Sequence, residues 1–172
     1  GSLRIDGGTL FKIMTGVGAS LAVWGYRYIF VLSGHGSPKD IVALESACKR
    51  VSRKFRIKMH NLSGAIAVRF LSGEFTDRIS ANLSRPLTDE ERELLQKDTH
   101  GGWWETSMML YLKPELVDEL YRSLPDTEKG RETPKPAYYG SPSRASIEFA
   151  EASIQVMVEE AGKVIARCLG GE

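Results

Sequence analysis

Residues 26–38 read Tyr-Arg-Tyr-Ile-Phe-Val-Leu-Ser-Gly-His-Gly-Ser-Pro, and this segment carries the strongest indication of the chain's architecture. Over 26–32 no polar residue follows Arg27, which is typical of a strand buried on both faces. A helix is expected directly afterwards, because Ser37 can cap its N-terminus and Pro38 suits its first turn. Such strands lie in parallel sheets covered by helices, so the segment predicts an α/β fold.

Helical patterns flank this segment on both sides. Apolar residues recur at helical spacing over 9–24, where Asp6 and Thr9 are candidate N-terminal caps and Gly25 can close the helix. The helix that starts at Pro38 has a predicted inward stripe of Ile41, Leu44, Cys48 and Val51. The remaining predicted elements are strands at 55–59 and 65–71, helices at 89–96 and 103–112, a helical stretch at 114–124 that buries Leu116, Val117, Leu120 and Leu124, a long loop over 125–143, and a final helix over about 143–168.

The composition bounds the class of protein. The 172 residues, 42% of them apolar, are enough for one domain with a real core. Twenty-three basic and twenty-two acidic residues leave a net charge of +1 without a like-charged patch, so no nucleic-acid partner is expected. No apolar run approaches the roughly 18 residues that span a bilayer, so no membrane partner is expected either. Cys48 and Cys168 lie in helical patterns as small buried residues, which favours a reducing, cytoplasmic location.

The first candidate site is the turn Ser33-Gly34-His35-Gly36 at the carboxyl end of the predicted strand. Ligands of open α/β sheets gather at the carboxyl ends of the strands, and the two glycines let a ligand approach the backbone closely. A neutral imidazole in this place suits zinc, manganese or iron. The alternative is a partly buried His35 that is satisfied by a backbone carbonyl, and the turn alone leaves both interpretations open.

The second candidate site is residues 98–107, Asp-Thr-His-Gly-Gly-Trp-Trp-Glu-Thr-Ser. If a helix begins near Trp103, then Glu105 lies in its first turn, where the helix dipole favours a negative charge, and His100 projects from the preceding loop. A carboxylate and an imidazole in such proximity can move protons. The alternative is an ordinary capped helix start with Trp103 and Trp104 in the core.

Together the two segments resemble the creatininase (creatinine amidohydrolase) family. The turn at 33–36 is similar to the N-G-H-G part of the family's strand-end turn, with serine for the leading asparagine. Residues 98–107 closely match the family's (E/D)-x-H-(A/G)-G-x-x-E-T-S signature, and the order and separation of the two motifs also fit. The similarity continues over 108–117 and 140–146, so that it covers nearly the whole chain.

The resemblance implies a single creatininase-like α/β domain over residues 1–172, a three-layer α/β/α sandwich with a mostly parallel sheet, often assembled into hexamers. It implies a metal-dependent amidohydrolase that hydrolyses a C–N bond of a small-molecule amide with a divalent ion, zinc before manganese or iron. His35 corresponds to a metal-ligand histidine, His100 to the proton donor, and Glu105 to a catalytic glutamate that contacts metal or substrate. Substrate contacts are expected from Ser37, Trp103 and Trp104.

Two departures from the family pattern bear on these expectations. Creatininases proper have a glutamate ligand where this chain has Ser37, so a cyclic amide, a formamide or a peptide end is a better expected substrate than creatinine. The family's first strand and its E-x-H-G-x-H-L-P segment belong upstream of Gly8. We therefore expect a chain that is truncated at its N-terminus, carries part of the active site and is inactive in isolation, with the missing segment on the same or a separate polypeptide.

Two alternatives to an amidohydrolase stay open. One is a non-catalytic α/β scaffold or binding protein derived from the same family, which the serine and proline at 37–38 favour. The other is a nucleotide-binding α/β domain, which rests only on the glycine-rich strand end, since the lysine and hydroxyl residue of a phosphate-binding loop are not in place.

Overall fold

The computed structural model describes residues 5–128 and 137–170. Backbone contacts group these residues into two compact units, the first comprising 5–69 with 159–170 and the second comprising 70–158. The single-domain organisation expected from the sequence stays a prediction. Among the described residues, no helix is both long and apolar enough to cross a membrane.

The first unit is built around a β-α-β arrangement. Its elements are helix α1 (Gly7–Val23), strand β1 (Tyr28–Val31), helix α2 (Pro38–Phe55), strand β2 (Lys58–Asn61) and helix α3 (Leu62–Leu71), which crosses into the second unit. The two strands run parallel, with Tyr28 opposite Lys58 and Val31 opposite Asn61. Because α2 connects parallel neighbours, the α/β class predicted from the sequence is confirmed.

Local sequence explains where these helices begin and end. Asp6 caps α1, since its carboxylate accepts the Thr9 backbone N–H at 3.0 Å. Pro38 occupies the first turn of α2, where its missing N–H costs nothing, and Arg56 ends that helix in a left-handed conformation. The helix predicted over 9–24 is therefore α1, and Ser37 does precede α2, although its side chain makes no capping hydrogen bond.

The core of the first unit lies between α1, α2 and the two strands. Gly18 brings α1 against Met59, where a Cβ atom would lie 2.7 Å from the methionine sulfur. Burial raises the pKa of the Cys48 thiol to about 11, so this cysteine is an unreactive core residue, as predicted. The buried apolar cluster consists of Ala22, Ile29, Cys48, Val51, Ile57 and Met59.

Three sequence predictions are wrong in the first unit. The strand predicted at 55–59 is displaced to Lys58–Asn61, because α2 continues to Phe55. The strand predicted at 65–71 is helical, since a short apolar run has no periodicity that separates strand from helix. Strand β1 is buried at Ile29 but exposed at Tyr28, so it is not covered on both faces.

The second unit is helical. It contains α4 (Glu74–Ala81), α5 (Asp89–Lys97), α6 (Trp103–Leu112), three short 3₁₀ turns (Pro114–Leu116, Glu119–Ser123 and Pro142–Arg144) and the first half of α7 (Ile147–Leu169). The helices predicted at 89–96, 103–112 and 143–168 correspond to α5, α6 and α7. An isolated antiparallel bridge joins Thr127 to Gly140. The loop predicted over 125–143 lies partly outside the described residues, at 129–136.

The prediction that 114–124 forms a helix burying Leu116 and Leu120 is wrong. These leucines are 69% and 66% exposed, and the buried side chain is that of Tyr121. The segment is divided because Asp118 adopts an extended conformation and its carboxylate accepts the Leu120 N–H at 3.0 Å. A side chain that bonds to its own backbone in this way competes with a continuous helix.

Candidate functional site

The strand-end turn of the first unit holds His35 close to a carboxylate. The backbone N–H of Ser33, two residues after the end of β1, donates to Ser63 Oγ at 2.6 Å and so ties the turn to the start of α3. Ser33 Oγ then accepts the His35 N–H at 3.1 Å. The imidazole is 59% exposed, and its Nε2 lies 3.7 Å from Asp40 Oδ2 in the first turn of α2. His35 and Asp40 thus form a pair of polar side chains at a strand end.

Asp40 was not among the residues predicted for this site. Its only signal in the sequence is its place in the first turn of the helix that follows the His35 loop. Ser37, predicted to contact substrate, lies between the two residues and is half-buried. Its role as a substrate contact stays a prediction.

The second unit holds the other candidate residues around the start of α6. The carboxylate of Asp98, the residue after α5, accepts the backbone N–H groups of Trp103 at 2.8 Å and Trp104 at 2.9 Å. It also accepts the N–H of Ser141 at 3.2 Å. Asp98 therefore satisfies two of the four N–H groups that a helix N-terminus leaves without partners inside the helix.

Two glycines make room for this carboxylate. A Cβ atom on Gly102 or on Gly140 would overlap Asp98 Oδ1. Gly140 also has a φ of +127°, a conformation that other residues rarely adopt. The close approach of two backbone segments, 102–104 and 140–141, to one carboxylate thus depends on glycine at both positions.

His100 and Glu105 meet at the helix start. His100 Nδ1 lies 3.9 Å from Glu105 Oε1, and the two side chains are 57% and 56% exposed. The other oxygen of Glu105 accepts the Gly101 N–H at 2.8 Å, which holds the carboxylate against the loop. The predicted first-turn position of Glu105 is confirmed. The pair is open to solvent and to a ligand, whereas its backbone is anchored.

The two tryptophans differ in their surroundings. Trp103 is 4% exposed, and its ring packs against Phe149 with centroids 5.2 Å apart. Trp104 is half-buried and forms a T-shaped contact with Phe70, with ring centroids 4.8 Å apart. Trp103 therefore belongs to the core of the second unit, as the alternative interpretation proposed. The role of either ring in contacting substrate stays a prediction.

Two hydroxyl residues fasten the inner side of α6. Ser107 is fully buried and donates through its Oγ to the Trp103 carbonyl at 2.7 Å, while it accepts the Ser146 N–H at 3.1 Å. Thr106 Oγ1 donates to the Gly101 carbonyl at 3.2 Å. These bonds give the Thr-Ser part of the 98–107 motif a structural role.

Burial raises the pKa of the Asp98 carboxyl, and the charge of Glu105 adds to this effect. The N–H groups of Trp104, Trp103 and Ser141 oppose the shift, because they stabilise the carboxylate form. Asp98 is thus a half-buried acid whose three donors are all backbone groups.

Neither pair of side chains fits a catalytic metal ion by itself. Such sites generally use three protein ligands. Within residues 5–128 and 137–170, no three His, Cys, Asp or Glu side chains are grouped to hold a metal ion. His35 belongs to the first unit and Glu105 to the second, so their predicted joint role as metal ligands stays a prediction.

The fold and these two places define a class: an α/β protein with a histidine at a strand end and a His–Glu pair at a helix start. The sequence profile of the creatininase family, described as creatinine amidohydrolase, matches residues 1–165. The chain therefore belongs to the creatininase family, which confirms the resemblance found in its motifs.

Two solved structures are similar to the chain. A creatininase with Mn has a TM-score of 0.67 and 22% identity, over 97% of this chain and 66% of that one. A mutant creatininase complexed with creatine has a TM-score of 0.56 and 20% identity, over 97% of this chain and 67% of that one. The chain thus has a creatininase-like fold and spans about two-thirds of the length of these structures. No curated protein sequence matches it.

Proposed function

We propose that the natural protein carrying this chain is an amidohydrolase that hydrolyses a C–N bond of a small-molecule amide. The observation that carries the proposal is the His100–Glu105 pair, 3.9 Å apart and exposed on an anchored helix start. Membership of the creatininase family supports the same reaction class.

The roles of the two side chains follow from their chemistry. Hydrolysis adds the oxygen of water to the amide carbonyl carbon and breaks the C–N bond. The leaving nitrogen must be protonated as it departs, and a protonated His100 can supply that proton. Glu105 orients the imidazole from one side while its second oxygen is held by Gly101. Its carboxylate lies in the first turn of α6, where the helix dipole stabilises negative charge.

We propose further that the protein uses a divalent metal ion, zinc or manganese. The related creatininase with Mn supports this class of cofactor. His35 and Asp40, 3.7 Å apart, would bring two ligands, and the remaining ligands must come from other residues. The described residues do not supply a full set of metal ligands. The proposed proton transfer is therefore assigned only to His100 and Glu105.

The proposed substrate is a small cyclic amide or formamide. A mutant creatininase of similar fold is complexed with creatine, which supports a substrate of this size. Ser37 stands where creatininases proper carry a glutamate ligand, and this disfavours creatinine itself. The three-layer α/β/α sandwich and the hexameric assembly known in the family are parts of the same proposal.

The test measures hydrolysis of creatinine, cyclic amides and formamides by the natural protein in the presence of zinc or manganese. NMR detects the products. His100→Ala is expected to lower kcat by about 10²- to 10⁴-fold, the usual contribution of a positioned general acid. His60→Ala is the matched control, because this histidine lies on β2 and stacks on Phe30 instead.

Loss of turnover in His100→Ala, with the His60→Ala rate near that of the wild type, would support the proposal. Equal rates in wild type and His100→Ala would exclude His100 as the proton donor. Absence of turnover by the wild type on the whole panel would contradict the proposed reaction class.

A further inference from the structure

The Asp98 carboxylate joins backbone segments that are far apart in the sequence. Two of its donors, Trp103 and Trp104, are the first residues of α6. The third, Ser141, lies 43 residues after Asp98 in the sequence and directly follows Gly140, which forms the bridge with Thr127. One side chain therefore fixes both the helix start and the returning segment.

The returning segment in turn holds the loop that carries His100. The N–H of Tyr139 donates to the His100 carbonyl at 2.7 Å, and the Tyr139 carbonyl accepts the Thr99 N–H at 3.1 Å. The next residue, Gly140, makes two backbone hydrogen bonds of 3.0 Å with Thr127. The backbone on both sides of His100 is thus tied to Tyr139, two residues before the Ser141 N–H that the Asp98 carboxylate accepts.

The short connection between Asp98 and α6 leaves little freedom for the loop that carries His100. Only Thr99 separates Asp98 from His100, and Glu105 directly follows the two anchored tryptophan N–H groups. A side chain on Gly102 or Gly140 would overlap the carboxylate. Movement of Asp98 would therefore displace both members of the His100–Glu105 pair.

We propose that Asp98 is a positioning residue, which sets the His100–Glu105 geometry by holding the start of α6 and the 139–141 segment. The consequence for turnover rests on the proposed amidohydrolase function. Reacting groups must be held within about 0.5 Å of the productive geometry, and a misplacement of about 1 Å can cost about 10²-fold in rate.

The experiment compares Asp98→Ala and Asp98→Asn with Thr88→Ala in the natural protein. Thr88 caps α5 in the same unit, so its loss removes a helix cap that makes no bond to the start of α6. Asp98→Ala is expected to lower kcat by about 10²-fold with a smaller change in KM. Asp98→Asn should restore part of the rate, because an amide oxygen in the Oδ1 position can still accept the Trp103 and Ser141 N–H groups. Thr88→Ala should leave kcat unchanged.

Amide hydrogen exchange of Trp103, Trp104 and Ser141 provides a readout that needs no substrate. These three amides are expected to exchange faster in Asp98→Ala and to keep their protection in Thr88→Ala. If Asp98→Ala does not fold, the same measurement on Asp98→Asn decides, with faster exchange expected at Trp104.

The outcomes separate this inference from the proposed function. Unchanged exchange in the Asp98 variants would overturn the positioning role, as would a kcat of Asp98→Ala equal to that of Thr88→Ala. A wild type without turnover, combined with faster exchange in the variants, would contradict the amidohydrolase proposal while supporting the structural role of Asp98.

Discussion

A side chain on Gly102 has no room, because its Cβ atom would overlap Asp98 Oδ1 and lie 2.9 Å from the Tyr139 carbonyl. The φ of Gly102 is −86°, a value that any residue can adopt. The requirement for glycine at this position is therefore steric, and it comes from the carboxylate that holds the helix start.

Gly102→Ala is accordingly expected to lower the free energy of unfolding by about 1–3 kcal/mol, the usual cost of overpacking. Gly162→Ala is the control, because a Cβ atom there meets nothing within 4 Å and the residue lies inside α7. This second variant should stabilise the protein by about 0.5–1 kcal/mol. Thermal unfolding measures both changes. A Gly102→Ala protein as stable as the wild type would contradict the packing around Asp98.

Single residues of the site could be predicted from the sequence only where the contacts are local. His100 and Glu105 are five residues apart, and the helix start between them brings them together as predicted. The bond from Ser141 to Asp98 spans 43 residues, and no local pattern indicates it. Asp40 was missed for a different reason, since a first-turn acid is commonly read as a helix-dipole charge.

Helix α5 begins with a capping box formed by Thr88 and Glu91. Thr88 Oγ1 accepts the Glu91 N–H at 3.2 Å, and the Glu91 carboxylate accepts the Thr88 N–H at 2.9 Å. Glu91 is buried and receives two further bonds from the Arg85 guanidinium, at 2.7 and 2.8 Å. These contacts hold the pKa of Glu91 down to about 2, with the Arg85 bonds as the largest cause.

The lowered pKa makes part of the stability dependent on pH. Glu91 binds its proton more weakly in the folded state, so its contribution is fully present above about pH 4.5 and is lost as the pH falls toward 2. In Glu91→Gln, the melting temperature should be lower at pH 7 and should fall less steeply between pH 4.5 and 2. Glu93→Gln, an exposed carboxylate on the same helix, is the control and should retain the wild-type slope. Identical slopes for wild type and Glu91→Gln would contradict this assignment.

The helices with strong terminal signals were the elements best predicted from sequence. Helix α6 has its predicted bounds of 103–112, with glycines before it and a proline two residues after it. The segment 65–71 was predicted wrongly, because its apolar residues fit a short strand as well as a helix. Between 114 and 124 the spacing of leucines suggested a buried face, and the bond from Leu120 to the Asp118 carboxylate broke the helix instead.

At the scale of the whole molecule, the α/β class could be predicted from sequence because it follows from a local order, strand, glycine-rich turn and helix. The parallel pairing of β1 with β2 joins residues 30 positions apart, and α2 accounts for the connection. The three-layer sandwich stays a prediction, because the sheet of the described residues has two strands, β1 and β2. The motifs at 33–36 and 98–107 nevertheless indicated the correct family, and the match of the creatininase family profile to residues 1–165 confirms it.

The incomplete pair at the strand end leads to a prediction about metal content. A histidine and a carboxylate 3.7 Å apart, both partly exposed, can act as two ligands but not as a full set. The natural protein is expected to retain zinc or manganese after dialysis, as measured by elemental analysis. Asp40→Ala should weaken metal affinity by about 10- to 100-fold, which is the usual effect of removing a group that hydrogen-bonds to a metal ligand. Competition with a chromophoric chelator measures the affinity. His35→Ala should weaken it further, whereas His60→Ala should leave it unchanged. A wild type without metal would contradict the prediction, and full affinity in His35→Ala would place the ion elsewhere.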